Sequence, residues 1–571
     1  MTVDEVVSIR GKPGKDLGGP KADPVTTEVI RQGLNAGADQ MKVALRRAAF
    51  SPVIYEMIDF ACGIYDTDVR MLAQARSLPS FLGTLGFCIE AAVKASGGEA
   101  QLEPGDVLWS TDGYANGSHP QDAVVVVPVF LDDTLVGYSV IKAHHLDIGA
   151  KEMYCTDTTD NFQEGVIFPG VKLYRSGVLQ RDLYRTILAN SRLPQALSGD
   201  LNAQLAAARM GASSLLTLIE KYGVEQYERS LERMFDAGEA IVRRYLEDVP
   251  DGRYIAKCAL DSDGLTDDMV EFDVAVEIEG SDVVVDFSDS ASEQAGPINC
   301  PLPTTVSTAR MAILALLGGN EMPNEGHFRP IEVRARPGTL FFPRPPAPIF
   351  LYGWPSDQAV EGILQAISAV TPARARAASG GDLCGISLWG NRDDGSLWAC
   401  AMDQPVGHGA KDGADGGSPL IIISCSGIRN SPAEVVEARY PVIVERCELA
   451  PDSGGAGRFR GGLGTDVEYR LLRDSYMTAI VERTKTPPEG LFGGGSGRPN
   501  RLEVRLPDGS VVSYSKVTRL ALPAESVVAI QTGGGGGYGP AAERDREAVF
   551  DDVGEGYVSE SEARRLYPQA F

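Results

Sequence analysis

The chain has 571 residues, more than one hydrophobic core ordinarily organises, so several regions are expected. Fifty-three basic residues against 78 acidic ones leave a formal net charge of −25, which opposes nucleic acid or an anionic membrane surface as a partner. With 43 % hydrophobic and 23 % charged residues there is enough apolar area to offset chain entropy, so bulk disorder is excluded.

In chain order, residues 1–22 are rich in Gly, Lys, Asp and Pro and read as a mobile arm. This stretch has no apolar segment of the signal-peptide kind, so a cytoplasmic protein is expected. A helix is predicted over 24–51, with Val29, Leu34, Met41 and Leu45 on an approximate apolar stripe. From 105 to 173 the pattern is strand-like. Residues 123–130 and 135–141, joined by Leu131-Asp132-Asp133-Thr134, read as a β-hairpin. Helices follow over 201–222 and 225–247, then a second hairpin over 269–287 and helices over 308–317 and 356–370. A third hairpin is expected over 502–514. The fold class is mixed α+β. It divides into the arm 1–22, an α/β region 23–255 carrying the first hairpin, a central α/β region 256–431, and a β-rich, glycine-rich region 432–571.

The nine cysteines are never closer than 16 residues, so no CxxC pair exists and reduced thiols are expected. Neither GxxxxGK[ST], GxSxG nor HExxH occurs, so the chain has no recognisable nucleotide cradle or serine nucleophile of its own. The run Gly533–Gly537 permits unusual dihedrals or close approach of another backbone, and with no helix start or lysine after it, it is not a phosphate loop.

Three of the five histidines lie within 26 positions: His119, His144 and His145. A turn centred near Asp132–Asp133 folds the hairpin so that His119, Asp122 and one of His144 or His145 meet at one sheet end. Two imidazoles and a carboxylate without a cysteine form a donor set for Zn²⁺ or Mn²⁺ with open positions left over. A strand sends adjacent side chains to opposite faces, so only one of the two neighbouring histidines should bind. Asp59 is a candidate fourth ligand or a buried turn cap. Glu164 is a general base or a salt-bridge partner of Lys172. His327 and His408 read as structural hydrogen-bonders.

Several segments together carry a family resemblance. They include Arg46-Arg47-Ala48-Ala49-Phe50-Ser51, Gly117-Ser118-His119-Pro120-Gln121-Asp122 and Ala143-His144-His145-Leu146-Asp147-Ile148-Gly149. To these add Gln163-Glu164-Gly165, Asn324-Glu325-Gly326 and Asp452-Ser453-Gly454-Gly455-Ala456-Gly457. From about Asp23 onward the chain resembles the hydantoinase B/oxoprolinase family. That family includes subunits of ATP-dependent hydantoinases and lactamases, the matching half of fused 5-oxoprolinases, and subunits of acetone and acetophenone carboxylases.

The resemblance implies an ATP-binding, hydantoinase A-like partner that phosphorylates a carbonyl oxygen. It also implies a metal held here by His119, Asp122 and His144, choosing His144 over His145, and a heterotetrameric complex. The leading expectation is therefore hydrolysis of a cyclic amide such as a hydantoin, lactam or oxoproline. Glu164 or His145 would take the proton of water, and Asp147 would orient an imidazole. A carboxylase subunit and a non-catalytic scaffold are the alternatives. The stretch 153–160 departs from the small, proline-rich segment expected of N-methylhydantoinases.

Overall fold

The computed structural model describes residues 5–318 and 322–571. They pack as two units. The first comprises Met1–Met153, Thr158–Tyr254 and Val274–Ser356; the second comprises Tyr154–Asp157, Ile255–Asp273 and Asp357–Phe571. Residues 256–431, read from sequence as one central region, thus contribute to both. Among the described residues no helix is long and apolar enough to cross a membrane. The nine cysteines are all free thiols.

The arm expected over 1–22 needs correction. Residues 1–4 lie outside the described residues, but Val7–Arg10 forms a strand, β1, paired antiparallel with Ile331–Ala335. Its alternating half-buried and exposed residues, a pattern suited to an edge strand, were masked by the polar stretch that follows.

The first unit is built on a seven-stranded antiparallel sheet. Its strands are Phe60–Tyr65 (β2), Met71–Gln74 (β3), Val107–Ser110 (β4), Asp122–Leu131 (β5), Thr134–His144 (β6), Pro169–Arg175 (β7) and Val178–Leu179 (β8). The order is β3-β2-β6-β5-β4-β7-β8. The β5–β6 hairpin turns where the sequence placed it, with Leu131 opposite Thr134 and Asp132 in the left-handed region at φ 53°. Val, Ile and Tyr fill both arms because their branched or aromatic side chains pack on a pleated surface covered on both sides.

One face of the sheet carries the helices Pro24–Ala48 and Pro194–Tyr222. The first starts at Asp23, whose carboxylate accepts from Thr26 N at 2.7 Å, and Pro24 stands where a missing N–H costs nothing. Its Ile30, Leu34, Ala38, Met41 and Leu45 are buried on one stripe. Burying each larger aliphatic residue contributes about 1.5–3 kcal/mol. The second helix docks through Gln204, whose amide donates to Ala123 O at 2.9 Å and Ile141 O at 3.3 Å. The other face receives the helix Leu85–Ala95 and buries Lys142, whose Nζ donates to Asn116 O at 2.9 Å and Thr84 Oγ1 at 3.2 Å.

Gly252–Leu260 (β9) carries the chain on from the helix Val224–Leu246 into the second unit. Val270–Glu279 (β10), Asp282–Asp286 (β11) and Ile331–Ala335 (β12) join β1 and β9 in a five-stranded sheet, in the order β1-β12-β11-β10-β9. β11 and β12 are parallel, and the helix Leu302–Leu317 forms the crossover between them.

The second unit holds two antiparallel sheets. One contains Gly385–Asn391 (β13), Leu397–Met402 (β14), Ser475–Ile480 (β17) and Lys516–Leu522 (β20), in the order β14-β13-β17-β20. The other contains Val442–Leu449 (β15), Thr465–Leu471 (β16), Arg501–Arg505 (β18), Val511–Tyr514 (β19) and Val527–Gln531 (β21), in the order β15-β16-β21-β18-β19. Beyond β21 the run Gly533–Gly537 threads between other glycine-rich segments. Gly534 N donates to Arg498 O, Gly535 N to Gly462 O, Gly536 N to Ala378 O and Gly537 N to Gly495 O, at 2.8–3.1 Å. A Cβ on Gly535 would stand 1.9 Å from the His408 carbonyl oxygen, and one on Gly536 2.1 Å from that of Glu489. Close backbone approach is therefore what this run supplies.

Gly535→Ala drives a methyl into main chain that cannot step aside, so it should lower stability by about 3 kcal/mol or more in thermal or denaturant unfolding. Gly554→Ala, with nothing within 4 Å, should be neutral or mildly stabilising. His327 is buried in the turn after Asn324, and burial pushes its imidazole down to about 4. The neutral ring is the one the fold holds, so its contribution is present above pH 6.5 and is lost as pH falls toward 4. His327→Gln should flatten the pH dependence of the unfolding midpoint across that window.

Candidate metal centre

The register of β5 against β6 sets Asp122 directly opposite His144. Cross-strand partners share a face, so both side chains point to the side of the sheet that buries Lys142. His119 is delivered by a tight local structure just before β5. Asp112 caps the short helix Gly113–Asn116, Gly117 turns the chain at φ 70°, and Asp122 N closes a turn on His119 O at 3.1 Å. All three side chains are buried, and Asp122 has no exposed surface.

Their donor atoms converge. His119 Nε2 lies 3.1 Å from Asp122 Oδ1 and 3.1 Å from His144 Nδ1, and His144 Nδ1 lies 2.8 Å from the same Oδ1. Burial alone would raise the Asp122 carboxyl, but the two imidazoles beside it hold it well below the usual carboxylate range. Among the described residues this is the one group of three or more His, Cys, Asp or Glu donors within 4.8 Å of one another.

The hydrogen-bond pattern tests whether a cation fits. His119 Nδ1 lies 2.9 Å from Phe350 O, and a carbonyl only accepts, so the proton sits on Nδ1 and Nε2 presents a lone pair. That lone pair and Asp122 Oδ1, both acceptors, face each other at 3.1 Å. A proton on His144 Nδ1 can be shared with one of them at a time. A divalent cation satisfies all three, since donors about 2.1 Å from one ion and at right angles stand roughly 3 Å apart. Nitrogen and oxygen donors without sulfur suit Zn²⁺ or Mn²⁺. The remaining carboxylate oxygen, Asp122 Oδ2, accepts from the Tyr352 hydroxyl at 2.8 Å. Tyr352 and the Phe350 carbonyl thus hold two of the three ligands from behind.

The other sequence candidates are placed differently. Asp59 does not join the three donors; its carbonyl oxygen accepts His144 N at 3.1 Å, continuing the β2–β6 ladder. His145 occupies the opposite face, toward the helix Pro194–Tyr222, where its Nε2 meets Gln204 Oε1 at 3.1 Å. Because the Gln204 amide nitrogen is committed to two carbonyls, that oxygen accepts and His145 Nε2 donates. Strand alternation therefore places His145 on the face away from His119, Asp122 and His144. Asp147 orients no imidazole. It accepts from the Arg192 guanidinium, with Nη2 at 2.5 Å, from Arg192 N, and from Gly149 N at 3.2 Å.

Glu164 makes no salt bridge with Lys172, which pairs with Asp106 at 2.6 Å. Instead Glu164 Oε1 accepts three hydrogen bonds of 2.8 Å, from Thr158 Oγ1, Ile349 N and Phe350 N. Burial pushes its carboxyl up to about 8, against the pull of those bonds. Glu164 thereby anchors the segment that presents Phe350 O to His119 and the Tyr352 hydroxyl to Asp122. Phe350 and Tyr352 were missed in the sequence. They lie about 230 positions beyond the residues they hold, and the one visible sign was an aromatic pair after a proline-rich stretch.

Tyr352→Phe removes the brace on Asp122 while keeping the ring. The expected result is a ten- to hundredfold loss of Zn²⁺ or Mn²⁺ affinity in a competitive chelator titration, with the unfolding transition still cooperative.

The family model described as hydantoinase B/oxoprolinase matches residues 23–541. The caprolactamase subunit beta of Pseudomonas jessenii is 31 % identical over 561 residues, covering 95 % of this chain and 96 % of that protein. The crystal structure of the ATP-dependent caprolactamase from the same organism superposes with a TM-score of 0.89 at 28 % identity, covering 95 % of this chain and 96 % of that one. A nucleotide-free acetone carboxylase structure gives a TM-score of 0.86 at 19 % identity, covering 95 % and 79 %, a likeness of fold.

Proposed function

The chain belongs to the hydantoinase B/oxoprolinase family, and on that premise we propose that it is the metal-holding subunit of an ATP-dependent hydrolase of cyclic amides. One observation carries the reading. His119, Asp122 and His144 converge in a chain that spans nearly the whole of a caprolactamase subunit.

A hydantoin or lactam carbon is a poor electrophile because the amide is resonance-stabilised. In this reading a hydantoinase A-like partner binds ATP and phosphorylates the carbonyl oxygen, which turns that oxygen into part of a phosphate leaving group. Water then adds to the activated carbon at this subunit. The ring C–N bond breaks as the nitrogen takes a proton and leaves as the amine, and a second water hydrolyses the resulting acyl phosphate to carboxylate and phosphate. A divalent cation at the site supplies Lewis acidity, which makes water a competent nucleophile near neutral pH.

The chain's own residues fix the donor set. Phe350 O keeps the proton of His119 on Nδ1, and Tyr352 engages Asp122 Oδ2 so that Oδ1 faces the two imidazoles. Glu164 acts through the 349–350 main chain as a positioning residue. A heterotetramer with the partner subunit, in the cytoplasm, completes the proposal.

The test is reconstitution with the partner subunit and measurement of ADP release. Added hydantoins or lactams should stimulate it, while His119→Ala and chelation should each cut ring opening by more than about a hundredfold. The isolated chain should release no ADP. ADP release that requires a ketone plus bicarbonate would replace hydrolysis by carboxylation. A chain purified without stoichiometric metal, with His119→Ala fully active in the complex, would leave the scaffold reading.

A further inference from the structure

A small cavity with a largely apolar lining and a few charged groups lies away from the candidate metal centre, within the first unit. It has a volume of about 120 Å³, and its walls include Arg10, Lys12, Tyr65, Arg310, Glu325 and Phe328. That is room for roughly four waters at ~30 Å³ each, or one small molecule, and far too little for a nucleotide. Tyr65 ends β2 five residues beyond Phe60, which pairs with Ala143 beside His144. At ~3.3 Å per strand residue the cavity wall is roughly 17 Å from that end of the sheet.

Arg310 is the unusual group there. It projects from the middle of the helix Leu302–Leu317, and its guanidinium carbon lies 4.3 Å over the Phe328 ring. Its Nε has no solvent contact and no hydrogen-bond partner, and among the described residues the guanidinium forms no ion pair. Arg310 is half-buried, whereas the buried Arg70 and Arg544 are matched by carboxylates. Arg70 pairs with Asp66 at 2.7 Å and Glu232 at 2.6 Å, and Arg544 pairs with Asp415 at 2.8 Å and Asp552 at 2.6 Å.

Glu325, which shares the cavity, does not supply the missing partner. Its oxygens accept main-chain N–H groups, Lys12 N at 2.8 Å and Met71 N at 3.2 Å. Those bonds tie the N-terminal segment down beside the cavity, helped by Gly11 N to Phe328 O at 3.2 Å and Lys12 Nζ to Glu90 Oε1 at 2.5 Å.

A planar fork of donors with no acceptor, in a half-open cavity of this size, calls for a planar or tetrahedral oxyanion. We propose that this cavity binds one small oxyanion, a carboxylate or a phosphate, held by the Arg310 guanidinium beside the tethered N-terminal segment. No covalent step is involved. The site would couple the presence of that anion to the seating of β1 and Lys12, since whatever fills the cavity stabilises the state in which the segment is tied down.

The experiment is titration of the full chain with inorganic phosphate and, separately, with malonate, in chloride at fixed ionic strength, followed by calorimetry and thermal unfolding. One saturable site per chain is expected, with an unfolding midpoint that climbs with ligand concentration. Arg310→Met keeps the contact with Phe328 and should weaken binding at least about tenfold. Response to phosphate alone or malonate alone would identify the source of the oxyanion. Four results would overturn the proposal. They are no saturable binding of either probe up to about 20 mM, unchanged affinity in Arg310→Met, unchanged affinity in Arg310→Lys should the methionine variant fail to fold, or loss of binding in His119→Ala instead.

Discussion

The pairing register of one β-hairpin governs the chemistry of this protein. Asp122 and His144 are 22 positions apart, yet they stand opposite each other because Leu131 turns onto Thr134 and the ladder then runs back through a bulge between Val129 and Phe130. A slip of one residue would carry His144 to the helix-covered face and bring His145 to the donor face. Both faces are occupied, by Met41 and Gln204 on one side and by the Lys142 contacts on the other, so a slip would bury the wrong polar groups on both. The register is held by this two-sided burial as much as by the turn.

The donor set also needs support from elsewhere in the chain. A histidine ligand works when its other nitrogen is fixed, and here a carbonyl from the 349–352 segment does this for His119, while Tyr352 engages the spare oxygen of Asp122. That segment is fastened by Glu164, which spends one oxygen on Thr158 and two successive main-chain N–H groups. A carboxyl group buried so completely costs free energy unless its bonds return it, and three short bonds to one oxygen are the return. Glu164, expected from the sequence as a general base or a salt-bridge partner, thus also mounts the segment behind His119 and Asp122.

The second unit answers a different packing problem. Ordinary sheets separate their backbones by side chains, whereas the segments around Gly533–Gly537 touch carbonyl to Cα and close their hydrogen bonds in several directions. Glycine is demanded there by space, since nearly every position would otherwise place a methyl within about two ångströms of a neighbouring carbonyl, well inside contact distance. The cost in chain entropy is offset by a dense net of main-chain bonds.

Much of this was visible in the sequence. Hydrophobic period and turn residues located the β5–β6 hairpin and the two later ones, the helices Pro24–Ala48 and Val224–Leu246 to within a few residues, and the meeting of His119 and Asp122 with one of His144 or His145. These depend on neighbours close in the chain, where local geometry decides. What the sequence left open was settled by contacts between distant segments. Strand alternation in a defined register put His145 against Gln204; Arg192 claimed Asp147; the loop 349–352 gave Glu164 its main-chain partners; and Val7–Arg10 became an edge strand on β12. Residue types and their spacing identify which side chains are chemically able to hold a metal. Which of them face one another follows from contacts between distant segments, because a partner two hundred residues away leaves no period or spacing to read.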